Sequence, residues 1–249
     1  MILALDIGNT RTKLGLFKDG KLAQVFIADT QELPEALSPV LEARKEAESL
    51  QMGWMSVASE VDPEKWAVWK RFAKAPRLVH IKSGYPFPIE NRYATPETLG
   101  TDRIVAAIGA YAHEQRAVLI IDAGTAITYD YVTTSGAYLG GGISPGLGMR
   151  FRALHEFTAR LPLIEAVEDP PLIGTSTKRS IQSGVLNGLR TEVAGMIHQY
   201  QSHHGADLAV YLTGGDAPYF EKLGKNLTFA DANLTLSGIH FILTQQSGL

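Results

Sequence analysis

The amino-acid sequence predicts an α/β protein made of two related lobes, each beginning with a three-stranded antiparallel meander. An Asp-x-Gly triplet ends an apolar strand pattern at Asp6–Gly8, and the same triplet recurs in the same context at Asp122–Gly124, 116 positions later. Each triplet is followed by two more strand patterns and then by helical patterns, so the second half of the chain repeats the first. We therefore expect a first lobe over 1–115 and a second lobe over 116–249, with the two turns facing each other across a cleft.

The first lobe is predicted to contain strands separated by strong turn signals. Asp19-Gly20 lies between two β-prone runs, which is a typical hairpin signal. Asp62-Pro63 is typical of a helix start, with an N-cap followed by proline at the first helical position. The predicted elements are strands at 2–5, 14–17, 22–27, 54–58 and 78–81, helices at 31–50, 62–74 and 101–115, and an ordered proline-containing loop at 83–98.

The second lobe repeats this pattern with longer helical segments. An apolar strand precedes the second Asp-x-Gly triplet, and a Thr-Ser-Gly turn at 134–136 separates the next two strands. The predicted elements are strands at 117–121, 127–132, from 138 onward and 208–212, and helices at 177–200 and 234–246.

The composition is that of an ordinary globular protein. A length of 249 residues allows one or two domains, and 45% hydrophobic with 20% charged residues excludes disordered, collagen-like and coiled-coil proteins. A formal net charge of −3 argues against nucleic acid as a direct partner. The absence of cysteine excludes a disulfide scaffold, a thiol nucleophile and a cysteine-ligated metal.

The N-terminal segment predicts a cytoplasmic protein without a membrane anchor. It has no basic leader, and the acidic residue Asp6 follows only a short apolar run, Ile2–Leu5. A signal peptide needs a longer apolar stretch, and no run approaches the ~20 apolar residues of a membrane span.

The two Asp-x-Gly turns are candidate phosphate-binding sites. A glycine in such a turn lets backbone N–H groups approach an anion closely, and the first turn adds the short donors Asn9, Thr10 and Thr12 and the charge of Lys13. An aspartate in each turn suits the Mg²⁺ that accompanies nucleotide phosphates. The alternative is a pair of ordinary turns in which each aspartate caps local N–H groups, but the repetition favours a phosphate site. No Walker A or Rossmann glycine pattern occurs.

The segment Gly100-Thr-Asp-Arg103 begins a predicted helix and has two interpretations. In the first, Asp102 caps the helix, because the helix dipole stabilises an aspartate in the first turn. In the second, the dipole and Arg103 keep Asp102 ionised as a base that accepts the proton of an attacking hydroxyl, while Arg103 holds an anionic group of the substrate. Composition alone does not choose between them.

The glycine-rich run Gly140–Gly146 predicts a substrate-facing loop, with a plain structural turn as the alternative. Its glycines follow a strand, but its proline and its lack of an acidic partner are unlike a dinucleotide-binding motif.

In order and spacing, these motifs resemble those of the type III pantothenate kinases. The matching segments are Asp6–Thr10, Gly100–Arg103, Asp122–Thr125, Gly140–Gly146 and Thr213–Asp216, which extend over most of the chain. That family belongs to the acetate and sugar kinase/Hsp70/actin superfamily, whose two ribonuclease-H-like lobes (duplicated βββαβαβα-type units) flank a nucleotide cleft. The resemblance implies ATP-dependent phosphorylation of the primary hydroxyl of pantothenate to 4′-phosphopantothenate, the first step of coenzyme A biosynthesis.

The resemblance also implies roles for individual residues. ATP would be bound by Thr125 and by the first turn, which comprises Asp6, Ile7, Gly8, Asn9, Thr10, Arg11, Thr12 and Lys13. Pantothenate would be bound by Tyr93, Gly100, Thr101, Asp102, Arg103 and Thr177, with Asp102 as the catalytic proton acceptor.

The resemblance changes the assignment of the cations. Asp6 stays near the Mg²⁺ that accompanies ATP, whereas Asp122 would bind a monovalent cation, K⁺ or NH₄⁺. Thr213–Asp216 would lie near the nucleoside. The family often has asparagine where this chain has Ser176, but both are good N-caps, so Thr177 keeps its expected position. The resemblance also implies a homodimer with the substrate pocket near the subunit interface.

Two rival functions remain at this point. One is a related kinase that phosphorylates a sugar or a short acid, against which the Gly-x-Asp-Arg segment argues. The other is an ATP-responsive regulatory protein, since members of the family have been labelled transcription accessory factors. The net charge disfavours direct contact with DNA.

Overall fold

The structure, a computed structural model, describes residues 1–9, 11–32, 50–57, 62–63, 77–205, 207–226 and 229–246. The chain divides into two compact units, Met1–His113 together with Asn233–Leu249, and Glu114–Ala232. The helices predicted over 31–50 and 62–74 fall almost entirely outside the described residues.

The first unit contains a mixed β-sheet in which the predicted meander is confirmed. β1, β2 and β3 are antiparallel neighbours, while β4 runs parallel to β1 and β5 parallel to β4. The β2–β3 hairpin turns at Asp19 and Gly20, whose φ angles of 51° and 76° fit the predicted Asp-Gly turn. The strands are β1 (Ile2–Ile7), β2 (Arg11–Lys18), β3 (Lys21–Asp29), β4 (Gln51–Ser56) and β5 (Arg77–His80), in the order β3-β2-β1-β4-β5.

The loop predicted over 83–98 leads into the helix that carries the Gly-x-Asp-Arg segment. The loop includes the short strand β6 (Glu90–Asn91) and a 3₁₀ helix (Pro96–Thr98). The helix is α1 (Thr101–Glu114), as predicted over 101–115, and it buries an apolar face between Ile104 and Ala110.

The second unit repeats the strand order of the first. β7, β8 and β9 form an antiparallel meander, with β10 parallel to β7 and β11 parallel to β10. The strands are β7 (Val118–Ala123), β8 (Ala126–Val132), β9 (Ala137–Pro145), β10 (Ala209–Thr213) and β11 (Phe229–Ala230). The order β11-β10-β7-β8-β9 matches the arrangement of the first unit strand for strand. The duplication predicted from the two Asp-x-Gly triplets is therefore present in the fold.

One face of the second sheet is covered by helices. They are α2 (Leu147–Glu156), α3 (Thr177–Gln182), a π-helical turn (Ser183–Asn187) and α4 (Gly188–His204), and a 3₁₀ helix follows at Ala217–Asn226. The long helix predicted over 177–200 is confirmed, with the π-helical turn inserted near its start. Leu119, Ile121 and Tyr129 of the sheet pack with Leu189 and Val193 of α4 in the core of this unit.

The run Gly140–Gly146 is a strand and a helix cap, which corrects the prediction of a loop. Residues up to Pro145 continue β9, and Gly146 is the N-cap of α2, a helix that the sequence reasoning missed. A Cβ on Gly141 would collide with the Tyr129 carbonyl of the neighbouring strand. The glycines therefore permit close backbone approach inside the unit.

The terminal helix α5 (Leu234–Gln246) groups with the first compact unit, whereas the sequence-based prediction counted it with the second lobe, 116–249. α5 packs on β1, β2 and β4, and a Cβ on Gly53 would lie 2.8 Å from the Leu243 side chain. Its other side meets α1, where Gly109 and Gly238 leave no room for a side chain on either helix. Although α5 is strongly apolar, no helix in the described part of the chain is long and apolar enough to cross a bilayer.

Candidate active site

The first Asp-x-Gly turn is closed by a backbone hydrogen bond and stabilised by hydrogen bonds from buried threonines. The Gly8 N–H donates to the Arg11 carbonyl at 3.1 Å, and a Cβ on Gly8 would lie 2.7 Å from that oxygen, so the turn requires glycine. The Thr30 hydroxyl donates to the Gly8 carbonyl at 2.8 Å and lies 3.1 Å from the Thr12 hydroxyl. Because both threonines are buried, Thr12 supports the turn through its side chain.

The other residues predicted around this turn differ in exposure. Asn9 and Arg11 are exposed, whereas Ile7 is buried in the core. The Ile7 carbonyl accepts a hydrogen bond from the Val57 N–H at 3.0 Å, which ties the turn to the end of β4. Thr10 lies outside the described residues.

Asp6 lies in a charged cluster on one face of the first sheet. It is paired across β1 and β2 with Lys13, so the two side chains share a face. Burial raises the pKa of Asp6, while a 2.8 Å hydrogen bond from the Thr235 hydroxyl and the charge of Lys13 lower it, and the charge of Asp102 raises it. A carboxylate is the kind of hard oxygen ligand that Mg²⁺ takes, so Asp6 fits that cation.

In the Gly-x-Asp-Arg segment, the Asp102 carboxylate lies next to Gly100 at the start of α1. A Cβ on Gly100 would lie 2.5 Å from Asp102 Oδ1, so the missing side chain makes room for this carboxylate. Arg103 is buried, and its guanidinium lies 5.9 Å from the centre of the Tyr93 ring in a cation–π contact. The first unit thus brings together Tyr93, Gly100, Asp102 and Arg103, while Thr101 lines a cavity of about 230 Å³ beneath the 83–98 loop.

The second Asp-x-Gly turn is packed against the Thr-Gly-Gly-Asp loop. The Asp216 N–H donates to the Ala123 carbonyl at 2.8 Å. Gly214 has a φ of 95°, and a Cβ there would collide with the Ala123 carbonyl and with Asp122 Oδ1. The loop predicted near the nucleoside therefore lies directly against Asp122. Burial raises the pKa of Asp216 in the same loop.

Asp122 lies close to a backbone carbonyl oxygen of its own turn. A Cβ on Gly214 would meet both Asp122 Oδ1 and the Ala123 carbonyl, so these two oxygens are near each other. Carboxylate and carbonyl oxygens are hard ligands that suit hard cations. Among the described residues, no cluster of three or more histidine, aspartate or glutamate side chains is arranged to hold a metal ion. Thr125 is exposed in the same turn, and its carbonyl accepts from the Gly146 N–H at 3.2 Å.

Thr177 lies at the start of α3 on the wall of a cavity of about 1140 Å³ in the second unit. The Ser176 hydroxyl accepts from the Arg179 N–H at 3.3 Å, so serine does cap the helix as expected. Arg150 lines the same cavity and donates through Nη2 to Glu192 Oε2 at 2.7 Å. No local sequence pattern indicates this ion pair, because its two residues are 42 positions apart in the chain.

The segment over 157–176, here called the strap, is fastened along α3 and the π-helical turn. Gln182 donates through Nε2 to the Glu165 carbonyl at 3.0 Å, and the Ser183 hydroxyl donates to the Leu172 carbonyl at 2.7 Å. The strap nevertheless exposes large apolar side chains, namely Phe157 (85% exposed), Leu172 (82%) and Ile173 (79%). Apolar surface held in a fixed shape is typical of a protein–protein contact.

Comparison with known proteins assigns this architecture to one family. The family model for type III pantothenate kinase matches residues 2–199. A type III pantothenate kinase from Flavobacterium johnsoniae is 40% identical over 242 residues, which cover 96% of each chain. One from Christiangramia forsetii is 39% identical over 246 residues, which cover 98% of each chain.

Solved structures share the fold at low sequence identity. A Baf family protein from Campylobacter jejuni superposes with a TM-score of 0.63 at 20% identity, covering 99% of this chain and 100% of that one. A ROK family protein from Streptococcus pneumoniae, in complex with sucrose, gives 0.50 at 12% identity, covering 100% and 99%. These similarities confirm the predicted α/β fold with two ribonuclease-H-like lobes.

Proposed function

We infer the reaction from the family: the chain belongs to the type III pantothenate kinases. It is a kinase that transfers a phosphoryl group from ATP to pantothenate in coenzyme A biosynthesis, and its substrates are pantothenate and ATP with Mg²⁺. The observation that carries this conclusion is the family match over 2–199, which includes both Asp-x-Gly turns and the Gly-x-Asp-Arg segment.

We propose that Asp102 is the catalytic proton acceptor. Its carboxylate would accept the proton of the pantothenate primary hydroxyl while that oxygen bonds to the γ-phosphorus, and the bond from phosphorus to the ADP oxygen breaks. The position of Asp102 beside Gly100 supports this role, because the absence of a side chain on Gly100 leaves space next to Asp102 Oδ1. Arg103 and Tyr93 would hold the anionic acceptor beside it.

The first turn and Lys13 would hold the phosphates of ATP. Bound Mg²⁺ supplies charge neutralisation at the β- and γ-phosphates. Asp6 would hold that cation, and the pairing of Lys13 with Asp6, which puts positive charge on the same face of the sheet, supports this proposal. The exposed Asn9 would donate to a phosphate oxygen, whereas the buried Ile7 and Thr12 would act only through the backbone or by supporting the turn.

In the second unit, Asp122 is our proposed ligand for K⁺ or NH₄⁺, and Thr125 our proposed contact to ATP. The carboxylate beside the Ala123 carbonyl supports the first assignment, and the exposure of Thr125 in the turn supports the second. Thr213–Asp216, which packs on this turn, would then lie near the nucleoside.

We also propose a homodimer in which the partner subunit helps to close the pantothenate pocket. The exposed apolar side chains of the strap support this proposal, as does the large cavity at Thr177 that the strap adjoins. Sedimentation velocity over a range of protein concentrations should show a dimer, and a monomer at all concentrations would contradict it. Because the reaction consumes ATP, we expect the enzyme to act in the cytoplasm.

The test of the function is ADP formation from ATP and Mg²⁺, with and without pantothenate and with and without K⁺. Pantothenate-dependent turnover that rises with K⁺ would support the reaction and the cation assignment together. Matched reactions with a sugar or a short hydroxy acid as acceptor test the rival kinase. Intact ATP binding without turnover on any acceptor would instead favour the regulatory protein.

A further inference from the structure

A threonine of the terminal helix contacts the charged cluster of the first unit. The Thr235 hydroxyl, in the first turn of α5, donates to Asp6 Oδ2 at 2.8 Å, across 229 positions of the chain. Thr235 is half-buried, so the hydrogen bond is partly shielded from water. A hydrogen bond to an ionised carboxylate is stronger than one between neutral groups.

The packing of α5 fixes where this hydroxyl lies. Leu234 and Leu236, on either side of Thr235, are fully buried, which sets the rotation of the helix about its axis. The crossing of α5 with α1 at Gly109 and Gly238 sets its position, because neither glycine can gain a side chain without a collision with the backbone of the other helix. The first turn of α5 therefore cannot slide or rotate independently of the sheet and α1.

The same packing connects Thr235 to both carboxylates of the cluster. Asp6 lies near the end of β1, on which α5 packs, and Asp102 lies in the first turn of α1, which α5 crosses. By engaging one oxygen of Asp6, the Thr235 hydroxyl restricts the rotation of this carboxylate.

We propose that Thr235 is a positioning residue for the kinase reaction: by binding Asp6 Oδ2, it directs the other carboxylate oxygen toward the cation that accompanies ATP. This inference rests on the role of Asp6 given under the proposed function. Thr235 has no place among the motifs of the sequence, and it acts on the reaction only through Asp6.

A purely structural role for Thr235 makes a different prediction. If the hydroxyl only stabilised the start of α5, its removal would lower the melting temperature and leave the binding of Mg²⁺ and ATP unchanged. A positioning role predicts the opposite pattern. Mg²⁺-dependent ATP binding should be weaker, and the protein should remain folded. Thr235→Val tests this because it keeps the shape of the side chain and removes the hydroxyl.

The experiment is calorimetric titration of the full-length protein with ATP, at a series of Mg²⁺ concentrations and without any acceptor. Thr235→Val is expected to raise the Mg²⁺ concentration needed for tight ATP binding by about tenfold or more, the usual effect of losing a hydrogen bond to a charged group. Thr235→Ser keeps the hydroxyl and should restore nearly wild-type binding. Thr244→Val is the matched control and should change nothing, because Thr244 is an exposed threonine of α5 whose hydroxyl donates to the Phe241 carbonyl.

The outcomes distinguish the positioning role of Thr235 from the proposed kinase function. Wild-type Mg²⁺ dependence in Thr235→Val, or equal losses in the valine and serine variants, would overturn the positioning role. If Thr235→Val melts much lower than wild type, Thr235→Ala replaces it, because a half-buried position tolerates the smaller side chain. Failure of the wild-type protein to phosphorylate pantothenate would contradict the proposed function and leave this binding result to be judged independently.

Discussion

Replacing Asp102 by asparagine removes a proton acceptor and keeps a side chain of almost the same shape. The space that Gly100 leaves for the carboxylate also accommodates the amide, so the variant should fold and bind pantothenate. General-base groups typically contribute ~10²–10⁴-fold to the rate, so kcat should fall at least ~10²-fold, or about 2.7 kcal/mol in activation free energy, with little change in KM.

The assay is steady-state ADP release at saturating ATP, with pantothenate varied across its KM. Glu97→Gln is the matched control, because Glu97 is an exposed carboxylate in the 3₁₀ helix just before α1, and its loss should leave kcat unchanged. A second readout is the pH profile. The charge of Asp102 raises the pKa of Asp6. Replacing Asp102 by asparagine should therefore lower the pKa of Asp6, and any fall in kcat that protonation of Asp6 causes should move to lower pH. A wild-type kcat in Asp102→Asn, or a loss confined to KM, would refute the base assignment.

Other substitutions test the cation site, the helix crossing and the buried carboxylate. Asp122→Ala should abolish stimulation by K⁺ in the ADP assay, and unchanged stimulation would reject that ligand. Gly238→Ala should lower the free energy of unfolding by on the order of 1–3 kcal/mol in urea denaturation, because its Cβ collides with the Val105 carbonyl, whereas Gly188→Ala, at an open helical position, should not. Since burial raises the pKa of Asp6 from its ordinary 3.8, the ionised group costs stability at neutral pH. Asp6→Asn should therefore raise the melting temperature at pH 7, with a gain that shrinks as the pH approaches 4, while ATP turnover is lost; a gain independent of pH would contradict this reasoning.

Local sequence signals predicted the strands and turns well. The Asp-Gly pair at 19–20 fixed the β2–β3 hairpin, and the repeated Asp-x-Gly triplet indicated two related sheets. These features depend on neighbouring residues, whose backbone preferences act over a few positions. The Gly-x-Asp-Arg segment could also be interpreted locally, because Gly100 and Asp102 contact each other within one helical turn.

Features that depend on distant contacts could not be predicted in this way. The glycines of 140–146 suggested a loop, but Gly141 is needed for the close approach of Tyr129 from the adjacent strand, and Gly146 for the close approach of the Gly124 and Thr125 carbonyls. The apolar pattern of 234–246 predicted a helix without indicating which sheet it covers. Thr235 has an ordinary sequence environment, and its contact with Asp6 exists only because the two ends of the chain pack together.

The discontinuity of the first unit has a consequence for how the protein is made. The second unit is one continuous stretch, Glu114–Ala232, whereas the first unit is made of the two ends of the described chain. β1, β2 and β4 are synthesised early, but they lack their contacts with the apolar side chains of α5 until the end of translation. The face of the sheet that α5 covers is therefore without this helix during synthesis, and chaperone binding would matter most in this interval. Asp6 also gains its Thr235 partner last, so we expect ATP binding by the growing chain to need more Mg²⁺ until α5 has docked.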